Sequence, residues 1–278
     1  SHFDESGYPV QEEEQGDWAW VKSRSDTPDT IFRLGRSRGK GNAEELRGDD
    51  TGQPAITDDY GAYDHLFSQH GLCWAHPKRK FRDLARSAVF SRRKRERCRA
   101  FYEQFKILLH DVRAVVHSPY DRRERLRQAS AFSRRMVSLF APRKTDPAKL
   151  ATFKATFLAN AEKYLLCVRE KDVPMTNNKA ERAIKPLIAK RKLSYGSRTQ
   201  KGAQTMETLL SVLFSLWWRK PENFFAEYRQ LLQPVAVAVA EGMAKGGIAD
   251  DECEGRRKFL RVHCECGIVI TLRGAEAL

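Results

Sequence analysis

The sequence has few of the features that mark secreted or membrane-embedded proteins. Its longest apolar stretch, residues 209–218, is interrupted by serine and is too short to cross a bilayer. The N-terminus lacks the basic and then apolar run of a signal peptide, and no internal repeat is present. The few cysteines lie far apart without a disulfide-framework spacing, which favours reduced thiols in a cytosolic protein. They are Cys73, Cys98, Cys167, Cys253, Cys264 and Cys266.

Acidic residues are scarce relative to basic ones. The chain of 278 residues has 36 Asp and Glu against 50 Lys and Arg, a net charge of +14, and a pI of about 9.6. Such a surplus attracts phosphate backbones and releases their counterions on binding, so nucleic acid is the predicted partner and anionic membrane the alternative. The apolar and charged fractions, 41% and 31%, are ordinary for a globular protein with a sizeable core.

The first part of the chain is predicted to form strands and turns. Residues 18–24 and 30–37 are short runs rich in aromatic and β-branched side chains, which is typical of strands. Residues 40–48 predict one short helix, with Asn42 as its N-cap and Gly48 as its end.

Farther along the chain, residues 53–71 predict a buried strand that continues into a helix, and residues 72–81 predict another strand. Residues 82–170 change to the apolar periodicity of helices and contain many arginines. Two more helices are predicted at 203–220 and 223–232. Strands followed by helices in this order predict a mixed α/β domain with an all-helical insertion.

Three acidic residues are candidates for chemistry in this basic protein: Asp4, Asp58 and Glu181. A carboxylate at the end of a strand is well placed to hold Mg²⁺ against a phosphodiester. Two such ions about 3.5–4 Å apart can activate an attacking oxygen and stabilise a leaving one. Because side chains alternate along a strand, only one of Asp4 and Glu5 can reach a common centre, and the same holds for Asp58 and Asp59. Spacing alone does not choose within either pair.

Each candidate also has a structural interpretation. Asp4 would serve the turn that follows it, and Asp58 or Asp59 would cap a helix. Glu181 is the single acidic residue among six Lys or Arg in residues 176–192. It would complete a capping box with Asn178 or pair with a lysine one turn later.

Four motifs occur in order along the chain: "DESG" with "WAWV", "TDDYGAY", "CWAHPKRKF", and "TNNKAERAIKP" with "KRKLSYGS" and "KGA". Together they resemble the DDE transposases of the bacterial insertion-sequence-sixty-six family over residues 2–232. The resemblance implies an RNase H-like mixed sheet flanked by helices, and divalent-metal-dependent DNA transposition. Carried over position by position, the acidic triad of the family corresponds to Asp4, Asp58 and Glu181, which would bind two Mg²⁺ or Mn²⁺ ions.

The same resemblance implies roles for further residues. Asn177, Asn178 and Arg182 belong to the Asn-Asn…Glu-Arg signature of the family. Cys73 and His76 match its Cys-x-x-His element; because a zinc site needs four ligands and the other Cys/His cluster is residues 263–266, a structural role is favoured. Basic residues near these motifs suit phosphate contact: Lys78, Arg79, Lys80, Arg82, Arg182, Lys185, Lys190, Arg191, Lys192, Arg198 and Lys201.

The domains predicted in this way are a split catalytic domain, residues 1–81 and 171–232, and a basic helical insertion, residues 82–170. Residues 233–278 form a tail with no clear fold, and the resemblance does not extend to it. The zinc-binding and helix-turn-helix segments of the family are not found and only three residues precede Asp4, so we expect a fragment of a longer protein.

The expected function is that of a nucleoid-associated transposase in the cytoplasm. It would act on double-stranded DNA at transposon ends and targets, as a homo-oligomer, with helper proteins of the same element as possible partners. The alternatives are a truncated, inactive remnant that binds DNA without cutting it, and an RNase H-like nuclease that acts on branched or hybrid substrates.

Overall fold

A mixed five-stranded sheet forms the centre of the first part of the chain. The computed structural model describes residues 1–12, 17–49 and 52–231, and the backbone of an antiparallel strand pair at 259–263 and 269–273. The sheet consists of β1 (His2–Gly7), β2 (Trp18–Ser23), β3 (Thr30–Arg36), β4 (Ala55–Thr57) and β5 (His70–Leu72). The spatial order is β3-β2-β1-β4-β5. Strand β2 is antiparallel to both β1 and β3, whereas β4 runs parallel to β1 and β5 parallel to β4.

Helices make up most of the remaining described residues. They are α1 (Lys40–Arg47), α2 (Ala75–Arg86), α3 (Arg92–Val116), α4 (Arg122–Phe140), α5 (Ala148–Ala159), α6 (Ala161–Tyr164), α7 (Leu166–Arg169), α8 (Asn178–Ser194) and α9 (Gln200–Arg219). Residues 224–231 are also helical. In the described residues, no helix has both the length and the apolar character to cross a membrane.

Helices α8 and α9 pack on one face of the sheet. Buried side chains of β2 and β3, among them Val21 and Phe32, contact Ala183 and Ile184 of α8. Helix α9 also covers the free edge of β3 with hydrogen bonds. The backbone N–H groups of Thr30, Phe32 and Leu34 donate to Ser215 Oγ, Ser211 Oγ and Glu207 Oε2, each at 2.9 Å. Alternate residues of β3 are thereby paired with residues spaced four apart, about one helical turn, on α9. The helix thus covers a strand edge that could otherwise pair with a strand of another chain.

Helices α2 to α7 share a second core that is rich in aromatic rings. Trp74, Phe81, Phe105, Phe140 and Phe157 are buried there and stack or meet edge to face. The same core reaches the sheet, since residues of β4 and β5 belong to it. The helical segment therefore packs directly against the parallel edge of the sheet.

A buried ion pair also lies within the helical segment. Lys154 Nζ is 2.8 Å from Asp146 Oδ2, and both side chains are fully buried. Arg97 makes a second contact with the same carboxylate at 2.7 Å. Lys154 additionally donates to the carbonyl of Ala141. The two buried charges are thus paired and hydrogen-bonded, as burial of charge requires.

The structure confirms the strands predicted at 18–24 and 30–37 and corrects several neighbouring elements. Residues 72–81 do not form a strand, because β5 ends at Leu72 and α2 begins at Ala75. Pro77 lies in the first turn of α2, where its missing N–H costs no helical hydrogen bond. The helix predicted after the strand in 53–71 is only a short 3₁₀ turn, Gly61–Tyr63.

The cap predicted for α1 is also wrong. Gly39 occupies the N-cap position, and Asn42 lies inside the helix, where its side-chain amide donates to Ser37. The predicted stop is confirmed, because Gly48 follows the last turn with a φ of 60°. The prediction for the tail, residues 233–278, lies outside the described residues apart from the two strands.

Candidate active site

The three candidate acids lie on three elements that meet beside the centre of the sheet. Asp4 is in the middle of the central strand β1, Asp58 directly follows β4, and Glu181 is in the first turn of α8. In the parallel pairing of β1 and β4, His2 is opposite Ile56. Extending this register by two residues aligns Asp4 with Asp58, which directly follows β4.

The start of α8 is fixed to the sheet by Asn177, which brings Glu181 to the same place. The buried side-chain amide of Asn177 donates to the carbonyl of Phe3, the residue before Asp4. Its backbone N–H donates to Cys73 Sγ at 3.2 Å. The backbone N–H of Trp74 donates in turn to Met175 O at 3.0 Å. These contacts tie the N-terminus of α8 to β1 and to the end of β5.

The structural interpretation of Glu181 is wrong. Asn177, not Asn178, occupies the N-cap position of α8, and no side-chain cap forms there. In the described part of the chain, Glu181 forms no ion pair with Lys185; its Oε1 lies 4.0 Å from His76 Nε2. Glu181 Oε1 is buried and has no hydrogen-bond partner. A carboxylate left in this state is available to a ligand.

The electrostatics of Asp4 show that the acids are close together. Burial, followed by the negative charges of Glu5, Asp58 and Glu181, raises the pKa of Asp4 to about 8. A cation between these carboxylates would favour their charged forms and remove that repulsion. Burial also raises the pKa of Asp58, although Arg38 and Lys80 act in the opposite direction. The oxygen donors of Asp4, Asp58 and Glu181 fit a hard divalent cation.

The structure distinguishes between Asp4 and Glu5, which sequence spacing left open. Both carboxylate oxygens of Glu5 are already used, since Tyr63 donates to one at 2.7 Å and Arg38 to the other at 2.9 Å. The guanidinium of Arg38 is itself held between the rings of Trp18 and Tyr60. Among the described residues, the one hydrogen-bond donor to the Asp4 carboxylate is the neighbouring backbone N–H of Glu5. Asp4 therefore has free oxygen atoms.

A second cluster adjoins the acids and was not found from the sequence. Within the described residues, one set of Cys, His, Asp or Glu side chains has ligand atoms that all lie within 4.8 Å of one another: Cys73, His76 and Glu181. Asp4 and Asp58 do not belong to this set. The spacing of Cys73 and His76 suggested a pair, but Glu181 lies more than a hundred residues farther along the chain. Cys264 and Cys266, in the other Cys/His cluster of the sequence, lie outside the described residues.

The candidate DNA-contacting residues divide into free and occupied side chains. Those exposed to solvent are Lys78, Arg79, Lys80, Arg182, Lys185, Lys192, Arg198 and Lys201. Arg82 pairs with Asp83 at 2.8 Å. Arg191 is half-buried and donates to Gly7 O and Ser6 Oγ at the end of β1. Lys190 is half-buried too and donates to Ser194 Oγ at 3.2 Å. Lys190 and Arg191 thus stabilise the fold locally.

Helix α2 brings positive charge close to the acidic site. Burial raises the pKa of both Asp58 and Asp59, and the positive charge of Lys80 opposes that rise. Burial lowers the pKa of His76, with Arg79 and Lys80 acting in the same direction and Glu181 opposing them. His76 is therefore neutral near pH 7. A basic helix beside a group of carboxylates is an arrangement that can hold a phosphodiester next to a metal site.

Comparison with known proteins identifies the family. An uncharacterized protein, y4jO of Sinorhizobium fredii (strain NBRC 101917 / NGR234), is 24% identical over 192 residues, which cover 66% of this chain and 56% of that protein. The chain thus spans little more than half the length of this relative. No solved structure matches the chain. The sequence model described as "Transposase IS66 family" matches residues 1–205, a range that includes all three candidate acids. The chain belongs to the transposase IS66 family.

Proposed function

We propose that this chain contains the catalytic centre of a DDE-type DNA transposase, with Asp4, Asp58 and Glu181 as ligands of two Mg²⁺ or Mn²⁺ ions. The observation that carries the proposal is the raised pKa of Asp4, about 8, which is caused first by burial and then by the negative charges of Glu5, Asp58 and Glu181. A protein with a net charge of +14 contains many partners that could neutralise these acids. A buried group of unpaired acids costs stability, and such costs are typical of functional sites.

We interpret the sheet as RNase H-like. The strand order β3-β2-β1-β4-β5, with three antiparallel strands followed by two parallel ones, supports this interpretation. One acid in the middle of the central strand and a second at the end of the adjacent parallel strand support it as well. On this interpretation the helices between β5 and α8 are an insertion within a split domain; the sequence predicted residues 82–170 for it, whereas α2 begins at Ala75.

The proposed reaction is hydrolysis of a phosphodiester at the end of an element, followed by attack of the freed 3′-hydroxyl on target DNA. Bound divalent ions would supply the Lewis acidity for both steps. The residues of the chain position the substrate: the exposed lysines and arginines of α2 and α8 bind backbone phosphates, and Arg38 holds Glu5 away from the centre. Double-stranded DNA is the proposed partner, bound by a homo-oligomer.

The proposal is tested by a nicking and strand-transfer assay with Mg²⁺ or Mn²⁺ on DNA that carries the ends of the element. Asp58→Asn should remove activity, because it removes one metal ligand. Asp59→Asn is the matched control: it removes the same charge one residue away, from a more exposed side chain. Equal activity of Asp58→Asn and the wild type would refute the assignment.

An inactive DNA-binding remnant is the alternative function. That hypothesis expected a broken first strand, whereas β1 has six residues and pairs with both β2 and β4. The observation favours the catalytic proposal. A remnant would bind DNA with a steep dependence on salt but would show no carboxylate-dependent cleavage.

A further inference from the structure

Three elements bring unlike ligand atoms to one point at the side of the acidic site. Cys73 follows β5, His76 is in the first turn of α2, and Glu181 is in the first turn of α8. One ligand atom from each lies within 4.8 Å of the other two. A thiol, an imidazole and a carboxylate at this spacing are the donor types that bind Zn²⁺ and related ions in proteins.

Two polar atoms of this cluster have no hydrogen-bond partner in the described part of the chain. His76 Nδ1 and Glu181 Oε1 are buried, and neither has a hydrogen-bond partner. The 4.0 Å between His76 Nε2 and Glu181 Oε1 is too long for a hydrogen bond between them. Buried polar atoms are nearly always satisfied in folded proteins, so two unsatisfied ones at one place indicate a ligand.

The surroundings hold the thiol in place. The backbone N–H of Asn177 donates to Cys73 Sγ at 3.2 Å. Cys73 is buried, whereas His76 and Glu181 are partly open to solvent, with side-chain exposures of 25% and 21%. A fixed sulfur beside two partly accessible ligands leaves a path by which an ion can enter.

We propose that Cys73, His76 and Glu181 bind a Zn²⁺-class transition metal ion at a site that adjoins the proposed magnesium centre and shares Glu181 with it. Three protein ligands leave the fourth tetrahedral position to water. The sulfur and nitrogen donors select against Mg²⁺, which prefers oxygen. The ion is bound by the chain itself and needs no ligand from residues 253–266.

Occupation of this site regulates the transposase, a consequence that rests on the proposed function. Glu181 is shared by the two sites, and a carboxylate oriented toward Cys73 and His76 is withdrawn from Asp4 and Asp58. Zn²⁺ therefore inhibits metal-dependent DNA cleavage. Binding of the ion, in contrast, does not depend on whether the chain cleaves DNA.

The binding experiment is a Co²⁺ titration of the full chain, followed by the thiolate-to-cobalt charge-transfer absorption. All proteins carry Cys253→Ser, Cys264→Ser and Cys266→Ser, so that thiols of the tail do not contribute. This background protein and its Cys98→Ser variant, which loses another buried thiol, should both show the band. Cys73→Ser should lack the band, and His76→Ala should bind Co²⁺ at least about tenfold more weakly, as judged from the sensitivity of metal sites to their ligands.

The outcomes separate this proposal from the catalytic one. A band that persists in Cys73→Ser, or a folded background protein with no band, overturns the metal site. Circular dichroism of Cys73→Ser confirms that the variant is folded. Asp58→Asn should keep the band while it loses cleavage; a band without cleavage in every protein would refute the catalytic function alone. Inhibition by Zn²⁺, measured for each variant relative to the same variant without Zn²⁺, should be weaker in Cys73→Ser than in Cys98→Ser.

Discussion

Buried aspartates in the two halves of the molecule have opposite surroundings. In the helical segment, Asp146 is fully buried and contacts Lys154 and Arg97. In the sheet, Asp4 lies among other carboxylates, and its pKa is raised to about 8. The first arrangement is a completed interaction that holds helices together. The second costs stability in the absence of a cation, which indicates that selection at Asp4 has acted on function.

The largest change in stability is expected when the buried ion pair between Lys154 and Asp146 is broken. Lys154→Met leaves Asp146 with Arg97 as its remaining side-chain partner and should lower the free energy of unfolding by about 3–5 kcal/mol. Urea denaturation measures the change. Lys106→Met is the matched control, because Lys106 pairs with Glu103 on the surface and the loss should stay within about 0.5 kcal/mol. Equal losses in the two variants would show that Asp146 does not depend on Lys154.

A smaller loss of stability is expected when Arg97, the second side-chain partner of Asp146, is replaced. The stability that Asp146 contributes should depend on pH. Burial opposes ionisation of Asp146, but Lys154, the N–H of Arg143 and Arg97 outweigh it and lower the pKa. A lowered folded-state pKa stabilises the protein fully above the ordinary value of 3.8, and this contribution is lost as pH falls through the folded-state pKa.

Arg97→Gln tests that dependence. It should cost about 1–2 kcal/mol at neutral pH and move acid unfolding of the helical segment to higher pH, since less of the pKa depression remains. Circular dichroism during an acid titration follows the transition. Arg92→Gln, which breaks an exposed pair with Glu96, is the control and should leave the transition in place. An unchanged transition in Arg97→Gln would contradict the assignment.

At the candidate active site, neutralising an aspartate should raise the free energy of unfolding, whereas breaking the contacts of Asp146 lowers it. Because the pKa of Asp4 is raised to about 8, its carboxyl must take up a proton on folding at pH 7. Asp4→Asn removes that cost, so the metal-free protein should become more stable by about 1 kcal/mol at pH 7, as is common for residues kept for function. Glu5→Gln should instead destabilise, because Glu5 accepts hydrogen bonds from Tyr63 and Arg38. Thermal unfolding of both variants in a chelating buffer measures the difference. Destabilisation by Asp4→Asn would remove the contrast between the two halves.

The sequence predicted elements whose periodicity reflects local packing and missed those decided by distant contacts. Strands β2 and β3 and helix α9 were predicted within a few residues, because their apolar patterns match the faces that they bury. Residues 72–81 were predicted as a strand from their apolar start. There, a proline in the first helical turn and packing against α3 decide for the helix instead.

The candidate active site was likewise predicted only in part, because distant contacts decide its geometry. Three acids were identified from their setting and from the family resemblance, but the choice between Asp4 and Glu5 depends on partners 33 and 58 residues away from Glu5. The meeting of Cys73 and His76 with Glu181 depends on how α8 is tied to β1 and to the end of β5. Short-range spacing contains no information on such contacts. The contacts of Asn177 give the first of the two asparagines before Glu181 a role in positioning α8.

The smallest changes are expected for variants of basic residues on α8. These variants distinguish residues that contact DNA from residues that stabilise the fold. Lys185 is exposed, and the described structure gives it no side-chain partner. Arg191 lies less than two turns farther along the helix and holds the end of β1. Lys185→Ala should leave the free energy of unfolding within about 0.5 kcal/mol of the wild type and reduce the slope of log affinity for DNA against log salt by about 1.

Arg191→Ala removes the same charge from the same helix, so it is the matched comparison for Lys185→Ala. It should cost about 1 kcal/mol of stability, because Gly7 O and Ser6 Oγ lose their donor. Its effect on the salt slope should be smaller than that of Lys185→Ala, since its guanidinium is already committed to β1. Salt-dependent binding titrations and urea denaturation of both variants give the two quantities. Equal salt slopes would mean that the surplus charge acts through the overall field of the protein, without individual phosphate contacts on α8.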